Sequence, residues 1–210
     1  MPKKIYFIRH GESQQIASKT NQDDTTPLSQ VGLRQADAVA KRFVNLEIHK
    51  LYSSPFTRAL QTADALSKVL ELPVITEPLL AEGRRPSFFA GKSFEDSEVI
   101  RIRGLLDEHR NDPAWHHSDE ENLYDLRDRM IQVKNFLEKD SAEHLAVVCH
   151  SGVLKMLSLV LIFEDLVTPD LFMASYHRTK ITQTGITMFE YKDNQWKLLT
   201  WNDYAHLADA

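Results

Sequence analysis

Apolar residues follow two rhythms along this chain: short solid runs, and longer stretches in which they step by three and four. Ile5-Tyr6-Phe7-Ile8 is the first solid run, bounded by Lys3-Lys4 on one side and Arg9-His10-Gly11 on the other. Such a run predicts a strand buried on both faces. Leu145-Ala146-Val147-Val148-Cys149 repeats the arrangement and ends in His150-Ser151-Gly152. Between the two runs, Leu33, Ala36, Ala40 and Phe43 step at helical spacing behind Ser29, a candidate N-cap. Ala59, Leu60, Ala63, Leu66 and Leu70 mark a second amphipathic helix with Arg58 in its first turn. Lys50 to Ser53, closed by Pro55, and Pro73 to Thr76 add two short strands. Strand, helix, strand, helix, strand implies a mainly parallel sheet with right-handed crossovers.

Residues 11–26 are polar and aperiodic and predict a loop over the first strand's end. From Glu82 to Asp119 the period is lost among Gly83, Arg84, Arg85, Pro86 and Phe88-Phe89, with one helix expected from Phe94 to His109. Ser118 and Glu121 have capping-box spacing ahead of a clear helix carrying Leu123, Leu126, Met130, Val133 and Leu137. Val153 to Ile162 predicts a helix that starts at Gly152. Ile186 to Tyr191 and Trp196 to Trp201, split by Asp193-Asn194, predict a hairpin or a sheet edge. No internal repeat, low-complexity tract or linker interrupts the chain. The expected fold is α/β: a three-layer sandwich with a mostly parallel central sheet, helices on both faces, and a small lid insert over about 83–119. A single domain spanning 1–210 is expected.

Composition narrows the function without naming it. The 210 residues are enough to bury a substantial core, and the formal charge of -5 is spread without a basic run, so nucleic acid is not an expected partner. Cys149 is the only cysteine, which precludes an internal disulfide and suits a reducing compartment. The apolar stretch after Met1-Pro2-Lys3-Lys4 is too short for a secretory signal. The apolar stretch from Leu157 to Phe163 holds Ser158 and runs into Glu164-Asp165, so no membrane partner is expected either. These features predict a cytoplasmic location.

Two histidines at the carboxyl ends of two buried strands are the chemical feature to explain. In an open α/β sheet the ligand crevice lies outside those ends, so both imidazoles are expected at a rim facing one pocket. If the ligand is a phosphate ester, Arg9 and Arg58 supply guanidinium forks for its oxygens, and the amides of Ser151 and Gly152, opening a helix, add donors. His10 is then the expected nucleophile, since imidazole is substantially uncharged near neutral pH. Gly11 beside it lets backbone approach the substrate and offers a carbonyl to the other ring nitrogen. His150 and the arginines would stabilise charge on the transferring group. Glu82, beyond the third strand, is the candidate proton donor to the leaving alkoxide and the later base for water. No metal and no cofactor is needed in this scheme.

Read together, Arg9-His10-Gly11-Glu12, Pro27-Leu28-Ser29 with Gly32 and Gln35-Ala36, Ser53-Ser54-Pro55 with Arg58-Ala59 and Gln61-Thr62-Ala63, Glu82, and His150-Ser151-Gly152 resemble the histidine phosphatase superfamily, the phosphoglycerate-mutase-like proteins. By that resemblance His10 carries the phosphoryl group, Arg9, Arg58 and His150 bind it, and Glu82 donates the proton. The closing Trp201-Asn202-Asp203 with His206-Leu207 is similar to the tail of the phosphatase branch. One departure stands out: the mutase pattern has an asparagine six residues after the nucleophile, where this chain has Ile16. Either Gln14, Gln15 or Asn21 substitutes, or the pocket has one polar contact fewer.

Other readings compete with these. Arg84 and Arg85 suit either a second anionic group on the substrate or a solvated loop pair. Cys149 does not fit cysteine-phosphatase chemistry, because the position six residues on is Lys155 rather than arginine, and its apolar run predicts an inert thiol. His109, His116, His117 and His144 lack metal-ligand spacing and are expected at the surface. The leading expectation is a metal-independent phosphomonoesterase acting on a small phosphate ester. A cofactor-dependent phosphoglycerate mutase and a non-catalytic phospho-ligand sensor are the alternatives.

Overall fold

The computed structural model describes residues 2–207. In chain order the elements are β1 (Lys3–Arg9), α1 (Gln14–Ala17), α2 (Gln30–Lys41), β2 (Lys50–Ser53), α3 (Thr57–Leu70), β3 (Val74–Thr76), α4 (Ser97–Glu108), α5 (Leu123–Lys139), β4 (His144–Cys149), α6 (Ser151–Phe163), α7 (Pro169–Tyr176), β5 (Ile186–Lys192) and β6 (Gln195–Asp203), with single-turn helices at Pro78–Leu80, Ser87–Phe89, Glu164–Leu166 and Ala205–Leu207. They build one six-stranded sheet in the order β3-β2-β4-β1-β5-β6. β3, β2, β4 and β1 pair in parallel, whereas β5 and β6 run antiparallel at the other edge. The fold is therefore α/β with a mostly parallel sheet, as expected.

The two faces of the sheet can be read from β1 itself, because successive side chains on a strand point to opposite sides. Ile5 and Phe7 pack with Leu145, Val147 and Phe189 against α5 and α6. Ile8 packs with Ala146, Val148 and Leu51 against α2 and α3. The solid apolar runs are thus strands covered on both sides, giving three layers. Helix α6 is apolar over most of its circumference because it lies between the sheet, α5 and α7. The insert has a small core of its own in Phe89, Val99 and Ile102.

Several boundaries differ from the sequence expectation. Helix α4 begins at Ser97 rather than Phe94, because Asp96 caps it by accepting the amides of Glu98 and Val99 at 2.9 and 3.1 Å. Helix α5 is capped by Asn122 and Asp125, not by Ser118 and Glu121. Those two residues are engaged elsewhere: Ser118 donates to Glu120, and Glu121 clamps Arg129 through two bonds of 2.7 Å. Helix α6 starts at Ser151, one residue before Gly152. The loop expected over residues 11–26 contains the short helix α1, capped by Ser13. Helix α7 had no counterpart in the sequence reading, although Thr168 as cap followed by Pro169 in the first turn is a regular helix start. The β5–β6 hairpin turns at Asp193 and Asn194, both left-handed at φ 51° and 60°, as a two-residue turn matching strand twist requires.

Lys3 shows how little its sequence position reveals. It bounds the first apolar run, yet its Nζ is buried beneath α5 and donates to the carbonyl oxygens of Leu137, Glu138 and Asp140 at 2.5, 3.0 and 2.6 Å. A cation thereby satisfies the unpaired carbonyls at the negative end of that helix.

Candidate active site

β1 and β4 are adjacent and in register, Arg9 opposite Cys149, so the residues that follow them emerge side by side. The rings of His10 and His150 lie 5.0 Å apart between centroids. The structure therefore brings together two histidines separated by most of the chain. It does not leave them on an open rim: His10 is 2 % exposed and His150 is 0 % exposed. Phe56 packs 5.2 Å from the His150 ring, between centroids, and the 11–26 loop is tied to the start of α3 beside it. The loop's Asp24 carbonyl accepts the Thr57 amide at 3.0 Å, and its Asp23 carbonyl accepts Arg58 Nη1 at 2.6 Å.

The backbone around His10 decides which ring nitrogen is basic. Its Nδ1 lies 2.6 Å from the Gly11 carbonyl, which can only accept, so Nδ1 carries the proton and Nε2 holds the lone pair. Burial, then the neighbouring His150 ring and the Arg58 and Arg9 charges, push His10 well below the ordinary histidine pKa, so the ring is neutral at neutral pH. The Gly11 carbonyl thus holds the ring as expected, but the missing side chain serves a different contact. A Cβ on Gly11 would sit 2.5 Å from the Gly32 carbonyl, and one on Gly32 would meet the Glu12 carbonyl, so the two glycines let the loop lie against the start of α2.

Ser54 plays the corresponding part for His150. The Ser54 hydroxyl accepts the Phe56 amide at 3.3 Å and lies 2.7 Å from His150 Nε2. Among the described residues the ring nitrogen is the one acceptor paired with that hydroxyl, an assignment that leaves the hydrogen of neutral His150 on Nδ1. Burial, then Arg58 and Arg9, keep this ring neutral too by pushing its pKa well down. Linear spacing within Ser53-Ser54-Pro55 does not show this contact, which joins residues 96 apart in the chain.

Arg9 and Arg58 are each anchored through one nitrogen to a backbone carbonyl: Arg9 Nη1 to Ile181 at 2.6 Å, Arg58 Nη1 to Asp23. Burial lowers the pKa of both, that of Arg58 to about 10, with the Glu82 charge opposing the shift. Among the described residues, four buried side-chain polar atoms lack a hydrogen-bond partner: Arg9 Nε, Arg58 Nε, His150 Nδ1 and His206 Nδ1. Buried polar atoms are nearly always paired. Three of these four belong to the groups expected to hold an oxyanion, and all three are donors.

Glu82 lies at the start of α6. Its Oε2 accepts the Gly152 amide at 3.2 Å, and its Oε1 accepts the amides of Val153 and Gly83 at 3.1 and 3.0 Å. A Cβ at position 152 would come within 2.8 Å of Glu82 Oε1, so the glycine makes room for the carboxylate. This changes one expectation: the Gly152 amide is held by Glu82 rather than free for phosphate. Ser151 opens the helix beside His150, and its hydroxyl has no partner among the described residues. Beyond Arg58 and Glu82 opens a cavity of about 570 Å³ whose wall also includes Phe56, Arg85, Phe89 and Arg129. Neither imidazole lines it directly. The insert thus borders this cavity.

Of the substitutes considered for the asparagine missing at Ile16, Gln14 is exposed and its side chain has no hydrogen bond among the described residues, whereas the other two are committed. Gln15 binds Thr26, and Asn21 is 1 % exposed and holds Arg85 and Arg103. Cys149 is fully buried, and burial raises its thiol pKa, in keeping with an inert residue. At the opposite end of β2 and β4, Glu47 and His49, just before β2, and His144, the first residue of β4, bring ligand atoms within 4.8 Å of one another, a grouping that linear spacing could not show. Among the described residues no helix is long and apolar enough to cross a membrane.

A family model, the histidine phosphatase superfamily (branch 1), matches residues 5–204. The chain belongs to this superfamily. A probable phosphoglycerate mutase, GpmB, of Proteus mirabilis is 26 % identical over 98 % of this chain and 95 % of its own. Among solved histidine phosphatase folds, Bacillus stearothermophilus YhfR superposes with a TM-score of 0.83 at 22 % identity, covering 98 % of this chain and 99 % of that one. Phosphoserine phosphatase from Entamoeba histolytica superposes with a TM-score of 0.77 at 25 % identity, over 98 % and 99 % of the two chains. Phosphatases and mutase homologues both appear among these relatives, so the chain is an enzyme of this superfamily.

Proposed function

We propose that this protein is a metal-independent phosphomonoesterase that hydrolyses a small phosphate ester through a phosphohistidine on His10. The observation that carries the reading is the set of unpaired buried donors, Arg9 Nε, Arg58 Nε and His150 Nδ1, grouped around a neutral imidazole whose lone pair is on Nε2. A phosphoryl group satisfies such donors and is the electrophile such a lone pair attacks.

The ester reaches the rings past Arg58, which exchanges its bond to the Asp23 carbonyl for a phosphoryl oxygen. His10 Nε2 attacks phosphorus in line, the ester P–O bond breaks, and Glu82, in its acid form, gives its proton to the leaving oxygen. Charge on the transferring oxygens is stabilised by the two guanidiniums and by His150 Nδ1–H, all fixed before reaction. Ser151, beside His150, adds its hydroxyl. Water then attacks the phosphohistidine, Glu82 takes a proton from it, the P–N bond breaks and phosphate leaves. The arginines supply the positive charge a metal would otherwise bring.

The likeness to the Proteus mirabilis protein favours a second reading, a mutase returning the phosphoryl group to a bound sugar acid. One set of assays tests both. With p-nitrophenyl phosphate and EDTA at about pH 6, turnover continues and His10→Ala abolishes it while the fold persists. Full activity in that variant, or dependence on added metal, refutes the mechanism. Formation of 2-phosphoglycerate from 3-phosphoglycerate, primed by 2,3-bisphosphoglycerate, would establish the mutase instead.

A further inference from the structure

Of the four buried atoms without a partner among the described residues, His206 Nδ1 is the one that belongs to no group expected to hold an oxyanion. His206 is part of the closing motif Trp201-Asn202-Asp203 with His206-Leu207, which the proposed chemistry does not use. Three side chains of that motif bind one short segment. Trp201 Nε1 donates to the Lys180 carbonyl at 3.1 Å. Asn202 Oδ1 accepts the Thr182 amide at 2.7 Å, and its Nδ2 donates to the Thr182 hydroxyl at 3.3 Å. His206 Nε2 lies 2.9 Å from the Thr184 hydroxyl. That hydroxyl gives its proton to the Gln183 carbonyl at 2.7 Å, an assignment that makes His206 Nε2 the donor and leaves the lone pair of the neutral ring on Nδ1.

The segment so held carries Arg9. The Ile181 carbonyl accepts Arg9 Nη1 at 2.6 Å, the Thr184 amide donates to the Arg9 carbonyl at 3.0 Å, and the Gly185 carbonyl accepts the Arg9 amide at 3.3 Å. Both the backbone and the guanidinium of Arg9 therefore rest on residues 181–185, between α7 and β5. The arrangement is held against local preference. Thr184 and Asn202 are left-handed at φ 57° and 52°, a conformation that a β-branched residue in particular avoids. Between the pairs Ile186–Asp203 and Met188–Thr200, β6 sets two residues, Trp201 and Asn202, against the single Thr187 of β5. This bulge lets two successive side chains reach the same segment, where a regular strand would point them apart. At position 185 a Cβ would collide with Asn202 Oδ1, so the glycine admits the amide. Strain, a bulge and an unpaired buried nitrogen gathered on one loop mark a place kept for function rather than for stability.

We propose that Asn202 and His206 are positioning residues for Arg9. Asn202 fixes the first half of the segment at Thr182, beside the carbonyl that holds Arg9 Nη1. His206 fixes the second half at Thr184, whose amide holds the Arg9 backbone. Together they keep one nitrogen of the guanidinium anchored and leave Nε available to the phosphoryl group. This deepens the proposed function and rests on it for the part Arg9 plays.

Asn202→Gly removes the side chain but accommodates the left-handed backbone, His206→Phe keeps a ring without a donor, and His206→Gln returns a donor at similar reach. With p-nitrophenyl phosphate, the first two variants should lower kcat/KM about ten- to a hundredfold, and calorimetry should show inorganic phosphate bound about tenfold more weakly. His206→Gln should recover most of both. Each variant is measured separately, so one that fails to fold leaves the other to decide. Action through Arg9 is read in an Arg9→Ala background, where the same substitutions should change phosphate affinity less than about twofold. A full-sized loss in that background, or wild-type kcat/KM and phosphate affinity in Asn202→Gly and His206→Phe, overturns the inference. The Nε–H resonance of Arg9 reads the placement without ligand or turnover: slow to exchange in the wild type, fast in Asn202→Gly and His206→Phe, and slow again in His206→Gln. If the wild type neither hydrolyses the ester nor binds phosphate, the proposed function fails, while an unchanged Arg9 resonance in both variants is what overturns the positioning role.

Discussion

Ser54→Ala isolates the tautomer argument, because it removes one oxygen and no charge. The hydroxyl lies 2.7 Å from His150 Nε2, and both residues are fully buried. Without it, His150 has no partner on either nitrogen, since Nδ1 is already unpaired. Leaving a buried acceptor unsatisfied costs about 1–3 kcal/mol, and the Phe56 amide loses its 3.3 Å contact as well. Stability should fall by that amount, read as a lower urea midpoint with unchanged slope, or as a melting temperature lower by about 2–4 °C for each kcal/mol.

The catalytic consequence is separable from the stability loss. With nothing to select the tautomer, His150 divides between Nδ1–H and Nε2–H forms, and only the former offers a donor on the nitrogen proposed to face the phosphoryl group. Nitrogen chemical shifts of His150 should show Nδ1 protonated in the wild type and a mixture in the variant. The loss in kcat/KM should be about three- to tenfold, matching one neutral hydrogen bond. Wild-type shifts and wild-type stability in Ser54→Ala would refute the assignment. A loss of stability with wild-type shifts would reduce Ser54 to a packing contact.

Other outcomes follow from the same geometry. His10 and His150 both have folded-state pKa values below the unfolded value of about 6.5, so the unfolded chain binds more protons in acid; stability should be full above that pH and fall as pH drops, by up to about 1.4 kcal/mol per unit per histidine. Urea midpoints at pH 7.5 and 5.5 check this (both values chosen to span about 6.5), and His10→Ala should flatten the dependence. Gly152→Ala should displace the Glu82 carboxylate, 2.8 Å from the new Cβ, and lower kcat about ten- to a hundredfold with the fold retained. Glu82→Gln should lower kcat on alkyl phosphates by about 10²–10⁴-fold but on p-nitrophenyl phosphate much less, because that leaving group needs little protonation. Lys3→Met should lose about 1–3 kcal/mol in urea unfolding, since three carbonyls at the end of α5 lose their cation.

What was legible in the sequence was whatever depends on periodicity or on chain order. Solid apolar runs gave β1 and β4, and therefore the adjacency of His10 and His150, because parallel strands in this topology end at one side of the sheet. The stripes of α2, α3 and α5 were visible because one face of each is buried. What was not legible depends on competition between neighbours. The cap of α5 moved from Ser118 to Asn122 because Glu121 was drawn to Arg129, a partner that local spacing cannot weigh. Asn21 attracted notice only as a stand-in for the residue missing at Ile16, whereas its buried oxygen collects two arginines from the insert, more than sixty residues away.

The largest departure concerns exposure, and it changes the chemistry. A strand end read from sequence is a rim, and a rim histidine titrates near its ordinary value and needs no help to meet its substrate. Here both rings are buried, and carbonyls of the 11–26 loop hold Arg58 and the start of α3 beside them. Burial of both imidazoles and the two arginine charges beside them push His10, the proposed nucleophile, well below the ordinary histidine pKa. The three donors Arg9 Nε, Arg58 Nε and His150 Nδ1 lack a partner among the described residues, and under the proposed function an oxyanion satisfies them. On that proposal, burying these donors disfavours the site without an anion and favours it with one, so burial itself would contribute to a preference for phosphate.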